Sequence, residues 1–123
     1  MKQRELIDVA SSLARPFTPS AECISGTVAA ALITSESHIF TGVCLDTVCS
    51  LGFCAEHAAI AEMLKARESA VLMIVAVNTK GAVLSPCGRC RELLWQIDDR
   101  NQDAWVVLGA EDGARLRELL PRR

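Results

Sequence analysis

Aromatic residues are scarce in this 123-residue chain, which has three phenylalanines, two tryptophans and no tyrosine. Basic residues do not outnumber acidic ones either, and the formal net charge is −2. A surface that binds single-stranded nucleic acid combines a basic stripe with interleaved aromatic rings. Because both ingredients are in short supply, we expect no nucleic-acid partner.

Long apolar segments are also lacking. The longest apolar run covers residues 71–77, whereas a helix that spans a bilayer needs about 20 such residues. The first ten residues carry four charged side chains and no apolar core of the kind found in a signal peptide. We therefore expect a cytoplasmic protein without membrane contact.

The remaining composition is that of a globular domain, with 50% apolar and 23% charged residues. The length suits a single domain that covers residues 1–123. Six cysteines are many for a reducing compartment, where clustered cysteines more often bind metal or react than form disulfides. Three of them lie in recognisable motifs, whereas we expect Cys23 and Cys49 to be buried small apolar residues.

Hydrophobic periodicity predicts a sheet covered by helices. Helices are expected within residues 1–14, over the alanine-rich residues 54–66, and from 87 to about 98. Strands are expected at 27–34, 39–45, 71–77 and 105–108, with 114–120 as a fifth strand or a last helical turn. Two prolines predict a loop at 16–19, and residues 83–86 lead into the third helix. Strands that alternate with helices indicate an α/β fold with a mixed sheet of about five strands, in which the helical connections join parallel strands.

The residues that could bind a metal and catalyse a reaction lie at two predicted helix starts. One reads Cys-Ala-Glu at residues 54–56, and the other reads Pro-Cys-Gly-Arg-Cys at 86–90. Catalytic zinc sites use three protein ligands and leave the fourth position to water, a count that Cys54, Cys87 and Cys90 would meet. The last two are one helical turn apart, and a helix N-terminus favours thiolate over thiol.

Glu56 follows the first cysteine by two residues, so its side chain should project beside the metal rather than onto it. Zinc generates hydroxide near neutral pH, and a carboxylate there can accept the proton and pass it to a leaving amine. The alternative is a structural site, which needs a fourth protein ligand such as His57, His38 or a spare cysteine. A purely structural site has no use for Glu56, so the catalytic interpretation is favoured.

These motifs resemble the signature of the zinc deaminases, and the chain is similar to the cytidine deaminase family, most of all to its blasticidin S deaminase branch. The resemblance covers nearly the whole chain from Val28 onward, including both motifs and the Arg-Glu-Leu-Leu-Pro segment at 117–121. It implies a three-layer α/β/α sandwich, Zn²⁺ as cofactor, and a homotetramer with active sites at subunit interfaces. The implied reaction is hydrolytic deamination of a cyclic amidine in a small aminated heterocycle or nucleoside, with release of ammonia.

The resemblance places the substrate contacts at Cys44, Asp46, Ala55 and Ser85. The family has asparagine and glutamate at the first two positions, and cysteine is a poor hydrogen-bonding group, which predicts weak recognition of a ribose. A family phenylalanine is replaced by Gly26, and two arginines follow Leu-Leu-Pro where the family continues to an aromatic residue. The substrate could therefore be cytidine or deoxycytidine, or it could be blasticidin S or another aminated heterocycle.

Two further residues lie beside the predicted metal. Three thiolates and one Zn²⁺ together carry a formal charge of about −1, and a nearby cation would modify the electrostatics of this cluster. Arg91 resembles the family arginine that donates to the thiolates, and His57 stands where the family usually has arginine. Either could instead be a solvated or packed helix residue, and the whole domain could be a zinc-stabilised but inactive scaffold.

Overall fold

A computed structural model of the chain describes residues 1–122, so Arg123, the last residue of the predicted domain, lies outside the described residues. The strands are β1 (Phe17–Ser20), β2 (Cys23–Thr34), β3 (Ile39–Thr47), β4 (Val71–Asn78), β5 (Val83–Leu84), β6 (Trp105–Val107) and β7 (Gly113–Arg115). The α-helices are α1 (Gln3–Ser11), α2 (Ala55–Lys65), α3 (Gly88–Ile97) and α4 (Leu116–Leu119), and 3-10 turns lie at Val48–Ser50 and Asp99–Asp103. Among these residues, no helix has the length and apolar character that a bilayer span requires.

The twelve-residue strand β2 organises the sheet. Strand β3 lies along one of its edges, while β4 and the short β1 share the other, and all three are antiparallel to it. Strands β3 and β4 are therefore parallel to each other, with β2 between them. Strand β6 is parallel to β4, and β7 is antiparallel to β6 at the far edge. The two connections that contain α2 and α3 thus join parallel strands, as predicted.

The sheet has seven strands in the described part of the chain, so the expected number of about five was wrong. Strand β1 was missed because Pro16 and Pro19 signal a loop, but an exposed edge strand tolerates proline. Strand β5 has only two residues, too few for a periodic signal. The ambiguous residues 114–120 divide between β7 and the short helix α4.

Side-chain alternation along the central strands separates the core into two layers. One layer packs against α1, and its members are Leu6, Ile7, Ala10, Ala14, Ala29, Ala31, Ile33, Val75, Val77 and Val107. The other layer packs against α2, α3 and α4, and includes Ala30, Leu32, Ala59, Ile60, Met63, Ile74, Ala76, Leu94, Val106 and Leu116. Odd-numbered residues of β2 face one layer and even-numbered residues face the other, because successive strand residues point to opposite faces. The predicted three-layer α/β/α sandwich is confirmed.

Helix α2 lies unusually close to β3, and Gly42 makes this possible. A Cβ atom at this position would lie 2.5 Å from the Cβ of Ala58, 2.5 Å from the backbone nitrogen of Ala59 and 2.8 Å from the carbonyl oxygen of Ala55. Two of these atoms belong to the helix backbone and cannot move aside alone. The glycine and the small side chains of α2 therefore fix the distance between the helix start and the strand.

We predict that Gly42→Ala lowers the free energy of unfolding by about 1–3 kcal/mol, because the added methyl group overpacks this contact. Gly109→Ala is the matched control, since its Cβ would meet only the Asp112 Cβ, at an ordinary 3.4 Å. Urea unfolding of the zinc-loaded proteins at one protein concentration measures both effects. Equal stability of the two variants would contradict the role given to Gly42.

Candidate active site

The first cysteine of the site is positioned by a backbone bridge between β3 and the loop that precedes α2. The Leu45 N–H donates to the Phe53 carbonyl at 3.0 Å, and the Phe53 N–H donates to the Leu45 carbonyl at 2.9 Å. A Cβ at Gly52 would lie 1.7 Å from the Leu45 oxygen, so the loop can follow this path only with glycine there. Cys54 comes next and forms the N-cap of α2, where the helix dipole favours a thiolate.

The other two cysteines belong to the start of α3. Cys87 is the N-cap of this helix, and the buried Cys90 lies in its first turn. Arg91 braces the segment, because its Nε donates to the Pro86 carbonyl at 2.9 Å and its Nη1 to the Leu119 carbonyl at 3.3 Å. The structure therefore gives Arg91 a role in holding the ligand loop against α4, while its predicted donation to the thiolates stays a prediction.

The three sulfur atoms meet in one group in which every pair is within 4.8 Å. The Cys54 and Cys87 sulfurs are 3.8 Å apart, and those of Cys87 and Cys90 are 3.3 Å apart. A tetrahedral zinc ion with Zn–S bonds of about 2.3 Å needs sulfur–sulfur distances of roughly 3.8 Å. The donor set therefore fits Zn²⁺. No other cysteine, histidine or carboxylate of residues 1–122 joins the group.

The pKa values of the three thiols also indicate that the group would be stabilised by a bound cation. Burial raises the pKa of Cys54, and burial together with the nearby Glu56 carboxylate raises the pKa of Cys90. Burial opposes ionisation of Cys87 as well, but hydrogen bonds with the backbone and thiol of Cys90 outweigh it, so the pKa of Cys87 is lowered. The raised pKa values of Cys54 and Cys90 favour their protonated forms unless a cation compensates, and a thiol that coordinates a metal is deprotonated outright.

Glu56 is buried beside the sulfur atoms without being one of their group. Its residue surface is 6% exposed, and burial raises the pKa of its carboxyl group, although a hydrogen bond with Cys90 partly offsets this. The structure thus places Glu56 where the sequence predicted it, next to the metal ligands and outside the set of ligands. A buried carboxyl with a raised pKa is suited to accept a proton and to donate it again.

A cavity of about 490 Å³ opens over these residues, a size typical of small-molecule sites. All four predicted substrate contacts line it: Cys44, Asp46, Ala55 and Ser85. Its other lining residues include Glu56, two of the metal ligands, Thr27, Thr47, Phe53, Leu84 and Arg89. Most of the predicted site is therefore brought to one concave surface, and the predicted neighbours His57 and Arg91 lie outside its lining.

The candidates for a fourth ligand are placed elsewhere. His57 keeps its ring Nε2 buried without a hydrogen-bond partner among the described residues, and its pKa is lowered by burial and then by the charge of Arg89. His38 instead pairs with Glu68, at 2.6 Å between Nδ1 and Oε2. Cys49 is exposed, so its predicted burial was wrong. It lies in the 3-10 turn at Val48–Ser50, where its backbone is left-handed with φ 60° and no residue is buried.

Sequence reasoning missed Thr27 and Arg89. Arg89 lies inside the second motif, between the two cysteines that predict metal binding. Thr27 begins an otherwise apolar strand-like run and follows a glycine, and a polar residue at that place is the signal that could have indicated a lining position. Both residues face the cavity.

Comparisons with known proteins agree with this geometry. A family model described as "Cytidine and deoxycytidylate deaminase zinc-binding region" matches residues 1–106. Cytidine deaminases from two strains of Mycobacterium tuberculosis are each 34% identical over 68 residues, which are 54% of this chain and 51% of theirs. The matched segment thus spans about half the length of these curated relatives.

Solved structures match over more of the chain. The crystal structure of cytidine deaminase from Mycobacterium tuberculosis has a TM-score of 0.82 at 26% identity, covering 98% of this chain and 95% of that one. The enzyme from Burkholderia pseudomallei gives a TM-score of 0.77 at 25% identity, covering 98% of each chain. The enzyme from Bacillus anthracis gives 0.74 at 25% identity, covering 97% of this chain and 86% of that one.

We predict about one zinc ion per chain in protein purified without chelator, because three sulfur donors converge on one position. Cys87→Ser should lower the zinc content and the thermal midpoint, since metal binding is coupled to folding. Cys49→Ser is the matched control, as this thiol is exposed and outside the sulfur group. Elemental analysis and thermal unfolding measure both quantities, and a preparation free of zinc, or equal losses in the two variants, would refute the assignment.

Proposed function

Because this chain belongs to the cytidine and deoxycytidylate deaminase family, we propose that it hydrolyses a cyclic amidine in an aminated heterocycle or nucleoside and releases ammonia. The observation that carries the proposal is a group of three sulfur donors beside a buried carboxylate that is not one of them. Structural zinc sites usually have four protein ligands, whereas a site with three leaves a position for the reacting water.

The reaction replaces a carbon–nitrogen bond by a carbon–oxygen bond, with one water consumed and one ammonia released. When bound at Cys54, Cys87 and Cys90, Zn²⁺ supplies Lewis acidity, which makes a water molecule nucleophilic near neutral pH. Glu56 accepts the proton that this water loses, at its carboxylate oxygen. The same carboxyl group then donates the proton toward the substrate nitrogen, so that the amine leaves as neutral ammonia.

The environment of Glu56 supports this double role. Burial raises the pKa of its carboxyl group, which makes the protonated form accessible during turnover and brings the group closer to the working pH of a proton shuttle. The start of α2 fixes its position through the close contact at Gly42 and the bridge at Phe53. The carboxylate is therefore held beside the ligands by the backbone rather than by a flexible loop.

Two substrate classes are compatible with the cavity. The solved relatives are cytidine deaminases, which favours cytidine or deoxycytidine. The resemblance of Leu84-Ser85 and of residues 117–121 to the blasticidin S deaminase branch favours that compound or a similar heterocycle. Measuring ammonia release from a panel of aminated bases, nucleosides and blasticidin S separates these possibilities.

We also propose that the enzyme is a cytoplasmic homotetramer. A reducing compartment would keep the site cysteines available for metal. The apolar residues Val48, Leu51 and Phe53 are 52%, 78% and 40% exposed beside the cavity, and neighbouring exposed apolar side chains often mark a protein interface. A subunit packed there would narrow the cavity mouth.

We expect Glu56→Gln to abolish ammonia release while zinc content and fold remain, because the amide cannot accept and return the proton. Glu62→Gln is the control on the same helix, since Glu62 is exposed and pairs with Lys65. Activity, zinc content and circular dichroism are measured on each variant. Zinc loss in step with activity would make Glu56 a ligand, and full activity of Glu56→Gln would remove it from the mechanism.

The assembly is tested by Leu51→Glu, which places a charge in the exposed apolar patch. We predict that the wild type sediments as a tetramer at micromolar concentration and that the variant shifts to smaller species. Leu51 is 78% exposed, so the change should leave the fold of the single chain intact. A monomeric wild type would contradict the proposed assembly.

A further inference from the structure

A second group of metal-ligating side chains lies outside the active site, where the hairpin of β2 and β3 meets the residues that follow α2. Glu36 and His38 belong to the hairpin turn, and Glu68 follows the end of α2. One ligand atom from each side chain lies within 4.8 Å of those of the other two. The group therefore brings one imidazole and two carboxylates as close together as the three sulfur atoms of the active site.

Backbone contacts hold the two segments of this group in place. The hydroxyl of Thr34, which has no exposed surface, accepts the Glu36 N–H at 3.3 Å and the His38 N–H at 3.2 Å. The Ser35 N–H donates to the Ala70 carbonyl at 2.9 Å, which ties the hairpin to the segment between α2 and β4. The positions of the three side chains are thus fixed by the fold and not only by contacts among themselves.

Glu68 is unusual for a residue of a surface turn, because its side chain is only 9% exposed. One oxygen, Oε2, lies 2.6 Å from His38 Nδ1. The other, Oε1, is buried and has no hydrogen-bond partner within residues 1–122. The nearby Thr34 hydroxyl, with His38, lowers the pKa of this carboxyl group in spite of its burial. Glu68 is therefore an anion at neutral pH, and a buried anionic oxygen without a donor calls for a ligand that the chain itself does not supply.

The group also has no permanent positive charge to compensate its carboxylates. In the described part of the chain, no lysine or arginine forms an ion pair with Glu36 or Glu68. The basic group that contacts Glu68 is the imidazole of His38, which is largely neutral at its ordinary pKa of about 6.5. Two carboxylates and a neutral imidazole carry a formal charge of about −2, which one divalent cation would balance.

We propose that Glu36, His38 and Glu68 form a second metal site, separate from the sulfur group, which binds a divalent transition ion such as Zn²⁺ or Ni²⁺. Imidazole suits these ions, whereas Mg²⁺ and Ca²⁺ prefer oxygen ligands alone, so the mixed donor set favours the transition ions.

The observed distances require a small movement when the ion binds. Bonds of about 2.0–2.2 Å place two tetrahedral ligand atoms roughly 3.4 Å apart, whereas His38 Nδ1 and Glu68 Oε2 are 2.6 Å apart and share a hydrogen. The His38 side chain is 62% exposed, so it can move outward while the buried Glu68 stays in place. The ion then replaces the shared hydrogen between the two residues.

The proposed site lies far from the cavity. His38 directly precedes β3, whereas Asp46, near the other end of this strand, lines the cavity. The rise of an extended strand separates the two residues by roughly 25 Å. An ion at the hairpin would join it to the segment after α2, and would stabilise the fold without contact with the reacting groups. The site is therefore independent of the proposed deamination.

Titration calorimetry of the zinc-loaded protein with Ni²⁺ tests the site. We expect about one Ni²⁺ per chain, a higher Tm in excess Ni²⁺, and an unchanged zinc content by elemental analysis. His38→Ala and Glu36→Gln change exposed residues, so both variants should fold, which circular dichroism checks. Each should weaken Ni²⁺ binding at least about tenfold, because loss of a group that merely orients a ligand already costs that much.

Glu62→Gln is the matched control, since this exposed glutamate lies on α2 outside the group, and it should bind Ni²⁺ as the wild type does. Loss of binding and of the Tm increase in both ligand variants, but not in the control, supports the site. Absence of Ni²⁺ binding to the wild type, or equal affinity in His38→Ala and the wild type, would overturn the proposal and reduce the group to a histidine–glutamate pair. Displacement of the active-site zinc by Ni²⁺ in place of a second binding event would overturn it as well.

Discussion

The site depends on the meeting of two helix starts at one edge of the sheet. Cys54 and Cys87 are far apart in sequence, yet their sulfur atoms are 3.8 Å apart. This is possible because β2 holds β3 and β4 parallel to each other on its two sides, so the chain leaves both strands toward the same end of the sheet. In open α/β sheets this carboxyl end is where ligands bind. The close approach of α2 to β3 at Gly42 then sets the remaining distance.

The motifs and their helices could be predicted because each depends on local sequence. Alanine-rich composition, and cysteines spaced by one helical turn, indicate the helices and the ligands without knowledge of the tertiary structure, and α2 and α3 begin one residue after their predicted starts. The strands β1 and β5 could not be predicted, since β5 has two residues and β1 contains one proline and follows another, which ordinarily signal a loop. Their pairing is decided by neighbours distant in sequence.

The part of the cavity lining around Cys44 was harder to predict for the same reason. Compared with the asparagine that the family has at this position, a cysteine at position 44 suggests that a hydrogen bond to the substrate is missing. The sequence does not reveal strand register, so it cannot show what the cysteine contacts instead. In the structure, that cysteine lies opposite three residues of β2 and accepts a backbone N–H. Thr27 of the neighbouring strand lines the cavity beside Cys44 and Asp46.

The sulfur group with Glu56 and the irregular part of β2 lie on separate elements. The metal ligands and Glu56 lie at helix starts held by tight backbone contacts at Gly42 and Gly52, where added atoms would meet backbone. Another part of the cavity lining comes from the bulge at residues 26–28 of β2, which lie opposite Cys44 alone. The bulge residues contact Cys44 and Asp46, whereas none of their hydrogen bonds reaches the sulfur group. The bulge and the sulfur group are therefore held by separate sets of contacts, although both border the same cavity.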